Sequence, residues 1–440
     1  MITKQAHVKG VTCCQQLHRN QVEEISPSTR MLRLRALTRL FSVKVAVDTS
    51  ALGIQLPEFS GRFSSRLEEE IHRTISLLGP ITVADYVRRS LLHPTLGYYT
   101  NNDVFGVKGD FITSPEISQL FGEMIGVWLT SCWKELGSPL NTSIVELGPG
   151  RGTMMADILR TVHRLGFSPS VHFIERSPLM KEIQQKTLRD LIPTTSFLWH
   201  TELSSLDPQK GEHLLFVAQE FFDALPVHQF QYTARGWRER LIASNLRPDA
   251  LSPLQVVLAP IPTPACQYIP ENLSPRIGDS LEICPDLVAI IDQMANRIAS
   301  HRGAALVIDY GSDNPPPDTL RGIDAHKFVP FLERPGSVDV TADVNFSTIR
   351  DAINLWQGHV KATRTVSQGT FLQTMGIAHR ADSLLAKCKT EVEQDNIVSG
   401  YERLVSPNAM GETYKCIAFA HQEIFDSIVG FPPPVNDIPS

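Results

Sequence analysis

Cysteine is scarce and unpatterned in this chain of 440 residues. Its seven cysteines, Cys13, Cys14, Cys132, Cys266, Cys284, Cys388 and Cys416, are odd in number and form no C-x-x-C pair. That argues against a disulfide framework and leaves buried, reduced thiols as the expectation. The 14 histidines contain no H-x-x-x-H pair, so no protein-bound metal is expected. No apolar run reaches the roughly 18 residues a membrane span needs. Basic charge is not in excess either: the formal net charge is −6, which supplies no overall field for nucleic acid. Hydrophobic residues, by contrast, make up 42% of the chain, enough for a substantial core in one large domain or two smaller ones.

One stretch does concentrate positive charge. Residues 31–47, MLRLRALTRLFSVKVAV, hold Arg33, Arg35, Arg39 and Lys44 and no acid, and a helix there would have one apolar and one basic face. This is the composition of a mitochondrial transit peptide. It begins at Met31, which on one reading is an alternative start, behind 30 residues that include Glu23 and Glu24. A disordered basic tail is the competing expectation. We take 1–48 as a targeting or disordered segment and 60–430 as one domain.

Within that domain, helical spacing at Leu67, Ile71 and Ile75 predicts a helix over 63–79, and 82–92 predicts a second, ended by His93-Pro94. Residues 96–118 read as a loop rich in Gly, Asn and Asp. Ser114 is then placed to cap a long helix, with Pro115 in its first turn, Glu116 at the positive end of its dipole, and one apolar face through Trp128. Strands at 143–148, 171–176 and 196–200, and a strand followed by a turn within 213–227, alternate with helices at 153–166 and 178–191. That alternation predicts a mostly parallel, doubly wound sheet, an α/β fold. The pattern breaks at 227–283, where three strand-like runs precede a Pro-rich stretch, and we expect an antiparallel insertion. A helix at 286–301 and a strand at 303–311 resume the sheet, and 414–421 reads as a last strand.

The most informative segment is IVELGPGRGTMM, 144–155, with Gly148, Gly150 and Gly152 at alternate positions and Glu146 two residues before the first. A glycine turn between strand and helix lets a ligand approach the backbone at a helix N-terminus. A dinucleotide site would have G-x-G-x-x-G, but the third glycine position is Thr153. The spacing E-x-G-x-G-x-G instead matches S-adenosylmethionine enzymes. A carboxylate at the turn would repel a pyrophosphate and favour a sulfonium and an ammonium. Glu175, closing the next strand, can accept from ribose hydroxyls, a device that NAD proteins share. The bland alternatives are a Gly-rich turn without a ligand and a surface acid.

Seven motifs then give the chain a family resemblance: HPTLGYYT (93–100), GDFITSPEISQLFGE (109–123), VELGPGRGT (145–153), EFFDALPV (220–227), GSVDVTADVNF (336–346), QGTFLQTMGI (368–377) and MGETYKCI (410–417). In this order they resemble the MidA family, the methyltransferase-like assembly factors of mitochondrial respiratory complex I, from about residue 65 to 421. The resemblance implies a class I S-adenosylmethionine-dependent methyltransferase fold, with a Rossmann-like, mostly parallel sheet, in the mitochondrial matrix. It further implies symmetric dimethylation of an arginine in an iron–sulfur-arm subunit of complex I. One departure is visible: the family tends to have Asn before EFFDALP, and here it is Gln219.

On this basis the expected cofactor residues are Glu146, Gly148, Gly150, Gly152, Glu175 and Ser114, the last of which has a plain capping role as its alternative. Glu220 is the expected principal partner of a substrate guanidinium, with Asp223 second and Gln219 orienting the substrate. Capping of a turn by Glu220 and Asp223 is the competing expectation. Asp110, Glu116, Phe111 and Asp309 are candidates near the same sheet edge, and Asp339, Asp343 and His228 are weaker ones. Two other functions compete, an NAD-linked oxidoreductase and a non-catalytic assembly chaperone that grips a partner with 227–283.

Overall fold

The computed structural model describes residues 61–101, 114–189, 195–245, 247, 252–356 and 358–433. The basic stretch 31–47, with Met31, and the candidates Asp110 and Phe111 lie outside the described residues.

Helix α1 (Arg66–Leu78) begins where the Ser65 side chain accepts from the Glu68 amide, and it buries Leu67, Ile71 and Ile75. A two-residue strand β1 (Ile81–Thr82) leads into α2 (Val83–Leu92), capped by Thr82. The long helix α3 (Gln119–Glu135) is buried along Leu120, Phe121, Met124, Ile125, Trp128 and Leu129. Its cap is Ser118 and not Ser114. The backbone is extended at Ser118 (φ −160°, ψ 137°), which separates α3 from a one-turn helix, Ser114–Ile117. Ser118 is thereby free to accept from the Leu120 amide.

The chain then alternates as the sequence predicts: β2 (Thr142–Leu147), α4 (Thr153–Arg164), β3 (Ser170–Ile174), α5 (Pro178–Arg189), β4 (Phe197–His200) and β5 (His213–Gln219). Four antiparallel strands follow, β6 (His228–Thr233), β7 (Gly236–Ser244), β8 (Leu254–Leu258) and β9 (Ser280–Ile283). Helix α6 (Pro285–His301) and β10 (Gly303–Ser312) return to the main sheet. A small sheet holds β11 (Arg321–Asp324), β12 (Lys327–Val329) and β13 (Asp339–Thr341). Beyond it come β14 (Val344–Asn345), α7 (Phe346–Asn354), β15 (Val360–Ala362), β16 (Val366–Ser367), α8 (Gln368–Thr374), α9 (Ile377–Leu385), α10 (Glu391–Val405) and β17 (Tyr414–His421).

The main sheet runs β15-β17-β10-β5-β2-β3-β4. Strands β4, β3, β2, β5 and β10 are parallel, and β17 is antiparallel to β10. The chain winds outward from β2 to β3 and β4, then reverses to β5 and β10. That reversal puts a topological switch point between the carboxyl ends of β2 and β5, where open α/β sheets bind ligands. Both faces of the sheet are covered. Ile144 packs with α3 and α4, while its neighbours Val145 and Leu147 pack with α6 and α7. A strand buried on both faces reads as a continuous apolar run, as β2 does.

The antiparallel strands are not an independent lobe. Strand β1 pairs with β7, Ile81 opposite Ile242, and α1 and α2 cover the same apolar cluster through Leu67, Ile71, Val83 and Tyr86. No helix among the described residues is long and apolar enough to cross a membrane.

Candidate active site

The glycine turn lies at the switch point. Gly148, Gly150 and Gly152 have φ of 64°, 51° and 82°, in the left-handed region that other residues enter at a cost. Gly148 has a second constraint, because a Cβ there would lie 2.9 Å from the Phe221 ring. Gly152 caps α4, so the turn ends at a helix N-terminus. A buried glutamine on α5 fastens the turn: Gln184 Nε2 donates to the Gly150 carbonyl at 2.7 Å and to Glu175 Oε2 at 3.1 Å. Trp199 Nε1 in turn donates to Gln184 Oε1 at 2.9 Å. This staple joins three strand ends and was invisible in the sequence, because an amide in a helix carries no local signal of what it reaches.

The turn opens on a cleft whose walls include Glu116, Glu146, Gln219 and Glu220. Glu146 is 1% exposed and its Oε2 has no hydrogen-bond partner. Burial pushes its carboxyl up to about 8. An orphaned buried carboxylate is costly unless a cation or donor meets it. Glu175 stands at the end of β3, accepts from the Ser177 amide at 2.7 Å, and is raised by burial against these hydrogen bonds. Thr153, at the position where a dinucleotide site would have glycine, donates to Glu116 Oε1 at 2.8 Å. Three acidic side chains, Glu116, Glu146 and Glu220, therefore line the cleft at the glycine turn, a setting that disfavours a pyrophosphate.

Gln219 and Glu220 face the cleft from the end of β5. Gln219 Nε2 donates to Glu220 Oε1 at 2.8 Å, while Gln219 Oε1, in a side chain 6% exposed, has no partner. Glu220 is held at φ 48°, a left-handed conformation unusual for a non-glycine residue. Burial, and then the nearby Asp223, push its carboxyl up to about 7, against donors from Gln219, the Ser114 backbone and the Tyr414 hydroxyl.

Other expected residues lie elsewhere. The Ser114 hydroxyl is buried and turned to Gln368 Oε1 at 3.4 Å, so only its backbone amide addresses Glu220. Asp223 is not among the cleft-lining residues. Its Oδ2 accepts from the hydroxyls of Tyr310 and Thr341 on the far side of the turn. Asp309 is fully buried beneath the same turn. Asp343 pairs with Arg321 at 2.7 Å, and Asp339 bonds the Tyr99 hydroxyl. His228 Nδ1 lies 2.6 Å from the buried Glu239 Oε1 in the antiparallel sheet, a packing role there.

Comparisons with known proteins agree with this geometry. Residues 124–363 match the family model for S-adenosyl-L-methionine-dependent methyltransferases. The chain is 42% identical over 374 residues to Mus musculus "Protein arginine methyltransferase NDUFAF7, mitochondrial", covering 80% of this chain and 83% of that protein. To the Drosophila melanogaster homologue of that protein it is 38% identical over 407 residues, covering 85% and 91%. Its fold is that of a Burkholderia thailandensis protein crystallised with S-adenosyl-homocysteine: TM-score 0.70 at 24% identity, covering 84% of this chain and 93% of that one. The chain belongs to the MidA family and is an S-adenosylmethionine-dependent methyltransferase.

Proposed function

We propose that this enzyme symmetrically dimethylates an arginine of a protein substrate, an iron–sulfur-arm subunit of respiratory complex I, in the mitochondrial matrix. The observation that carries the proposal is the chemistry of the cleft. The buried carboxylate Glu146, the raised carboxylate Glu220 and the unpartnered Gln219 oxygen all line one space. A ligand that satisfies them must bring donors and positive charge. A guanidinium brings five N–H donors in a planar fork. The names of the mouse and fly relatives support arginine as the target and the mitochondrion as the compartment. The basic stretch from Met31 supports import. The complex I subunit and the symmetry of methylation rest on the family resemblance alone.

When bound, S-adenosylmethionine supplies a methyl group on a positively charged sulfur. Glu146 would meet the positive charge of that cofactor, and Glu175, held by the Ser177 amide and Gln184, would accept from its ribose hydroxyls. Glu220 draws guanidinium charge towards itself and away from the attacking nitrogen. Gln219 Oε1 accepts a further N–H and fixes which nitrogen faces the methyl. In the transfer a carbon–sulfur bond breaks, a carbon–nitrogen bond forms, and one N–H proton leaves the guanidinium. Glu220, pushed up to about 7, is suited to receive that proton near neutral pH.

The test is label transfer from S-adenosylmethionine to arginine-containing and lysine-containing peptides, with products identified against methylarginine standards. Symmetric dimethylarginine is the expected product. Methyllysine, or no label on arginine, would overturn the proposal.

A further inference from the structure

We propose that Asp309 is a positioning residue of the substrate side of the site: it holds the turn after β5 so that Glu220 faces the cleft. This rests on Glu220 as the guanidinium partner.

Asp309 sits on β10, beside β5, in a register that pairs Ile308 with Gln219. The Glu220 amide still donates to the Ile308 carbonyl at 3.0 Å, the last rung of that ladder. The chain then turns sharply, with Glu220 at φ 48°. Past this point the side chain of Asp309 takes over. Its Oδ2 accepts from the Phe222 amide at 3.0 Å and the Asp223 amide at 3.3 Å, and its Oδ1 from its neighbour Tyr310 at 3.0 Å. The side chain is fully buried, so these amides have no water to turn to.

The turn is fixed from its other end as well. The Ala342 amide donates to the Asp223 carbonyl at 3.0 Å, and Tyr310 and Thr341 donate to the Asp223 carboxylate. Tyr414, edge-on to Tyr310 with ring centroids 5.7 Å apart, gives its hydroxyl to Glu220. A left-handed glutamate persists only where its surroundings over-determine it, and here Asp309 supplies the next bonds after the Ile308 rung. Burial and the carboxylates of Asp223 and Glu220 raise the Asp309 carboxyl well above the ordinary range. Asparagine is the neutral residue of the same shape, with an NH2 group turned to the Tyr310 amide that Oδ1 now accepts from.

The experiment compares Asp309→Asn, Asp309→Leu, Glu220→Gln and the double variant Asp309→Leu with Glu220→Gln, in the full chain. Transfer from labelled S-adenosylmethionine to a pool of Gly-Arg-Gly peptides is measured beside S-adenosylhomocysteine affinity and amide exchange of Phe222 and Asp223. Asp309→Leu should lose transfer about a hundredfold, the scale of an ångström of misplacement. It should bind S-adenosylhomocysteine as the wild type does and expose both amides to exchange. Asp309→Asn, whose one acceptor oxygen can serve the Phe222 and Asp223 amides while its NH2 group meets the Tyr310 amide, should keep clearly more of the transfer than Asp309→Leu. The double variant should be no worse than Glu220→Gln, because residues acting as one unit are not additive. Normal transfer by Glu220→Gln would overturn the reading of Glu220 and this proposal with it. Full transfer by Asp309→Leu beside an inactive Glu220→Gln, unchanged amide exchange, or a further hundredfold loss in the double variant would overturn the proposal alone.

Discussion

Replacing Glu146 by Gln removes a carboxyl that is 1% exposed with one oxygen unpartnered, and should stabilise the ligand-free protein while weakening cofactor binding. The magnitude follows from burial, which lifts this group from 4.5 to about 8. The folded state thus keeps its proton to higher pH than the unfolded chain does. Stability contributed by this site is present below the unfolded value and falls as pH rises towards the folded value. The fall is about 1.4 kcal/mol per pH unit, so at pH 7 the carboxyl costs roughly 3 kcal/mol. Glutamine does not ionise and escapes that cost. Urea denaturation of both proteins without cofactor, from pH 5 to pH 9, reads the difference. The advantage of Glu146→Gln should grow with pH and level off above about 8. With saturating S-adenosylhomocysteine the order should reverse, because the variant lacks the partner for the ligand's ammonium. A difference that does not change with pH, or a variant less stable than the wild type at pH 8, would refute the reasoning.

Glu220→Gln should leave S-adenosylhomocysteine affinity within about twofold and reduce transfer at least a hundredfold, consistent with loss of an interaction that acts on the transition state. In the wild type the rate should rise with pH through about 7, as Glu220 ionises to hold the guanidinium; a rate–pH profile flat from 6 to 8 would contradict this. Gly150→Val places a branched side chain at φ 51°, so it should cost about 1–2 kcal/mol in backbone strain and abolish S-adenosylhomocysteine binding, with far-ultraviolet circular dichroism unchanged. Gln184→Leu removes both amide donations to Gly150 and Glu175, and calorimetry should show cofactor affinity falling about tenfold.

Much of the fold was legible because its signals are local. The strand–turn–helix around Gly150, the alternation through Gln219 and the antiparallel run after Pro226 all follow from apolar periodicity and turn residues. The cap of α3 was misplaced because Ser114 and Ser118 carry the same chemistry, and only the extended backbone at Ser118 decides between them. The pairing of β1 with β7 joins residues that are far apart in sequence, which periodicity does not report. In the site, Glu146, Gln219 and Glu220 were recognisable as acids and amides at strand ends. Asp223 was expected to face the substrate beside Glu220, but the left-handed turn rotates it to Tyr310 and Thr341. Gln184 and Asp309 act by reaching across to a neighbouring element, and no spacing rule announces them.

Everything in the functional interpretation depends on the glycine turn and Glu146 receiving a cationic, adenosyl-bearing ligand. Calorimetric titration of the full chain with S-adenosylhomocysteine, beside NADH, tests that at pH 7 in two buffers of different ionisation enthalpy. S-adenosylhomocysteine should bind with release of about one proton as Glu146 ionises against the ligand's ammonium, and NADH should give no binding heat. Binding of NADH, or no binding of S-adenosylhomocysteine, would contradict it.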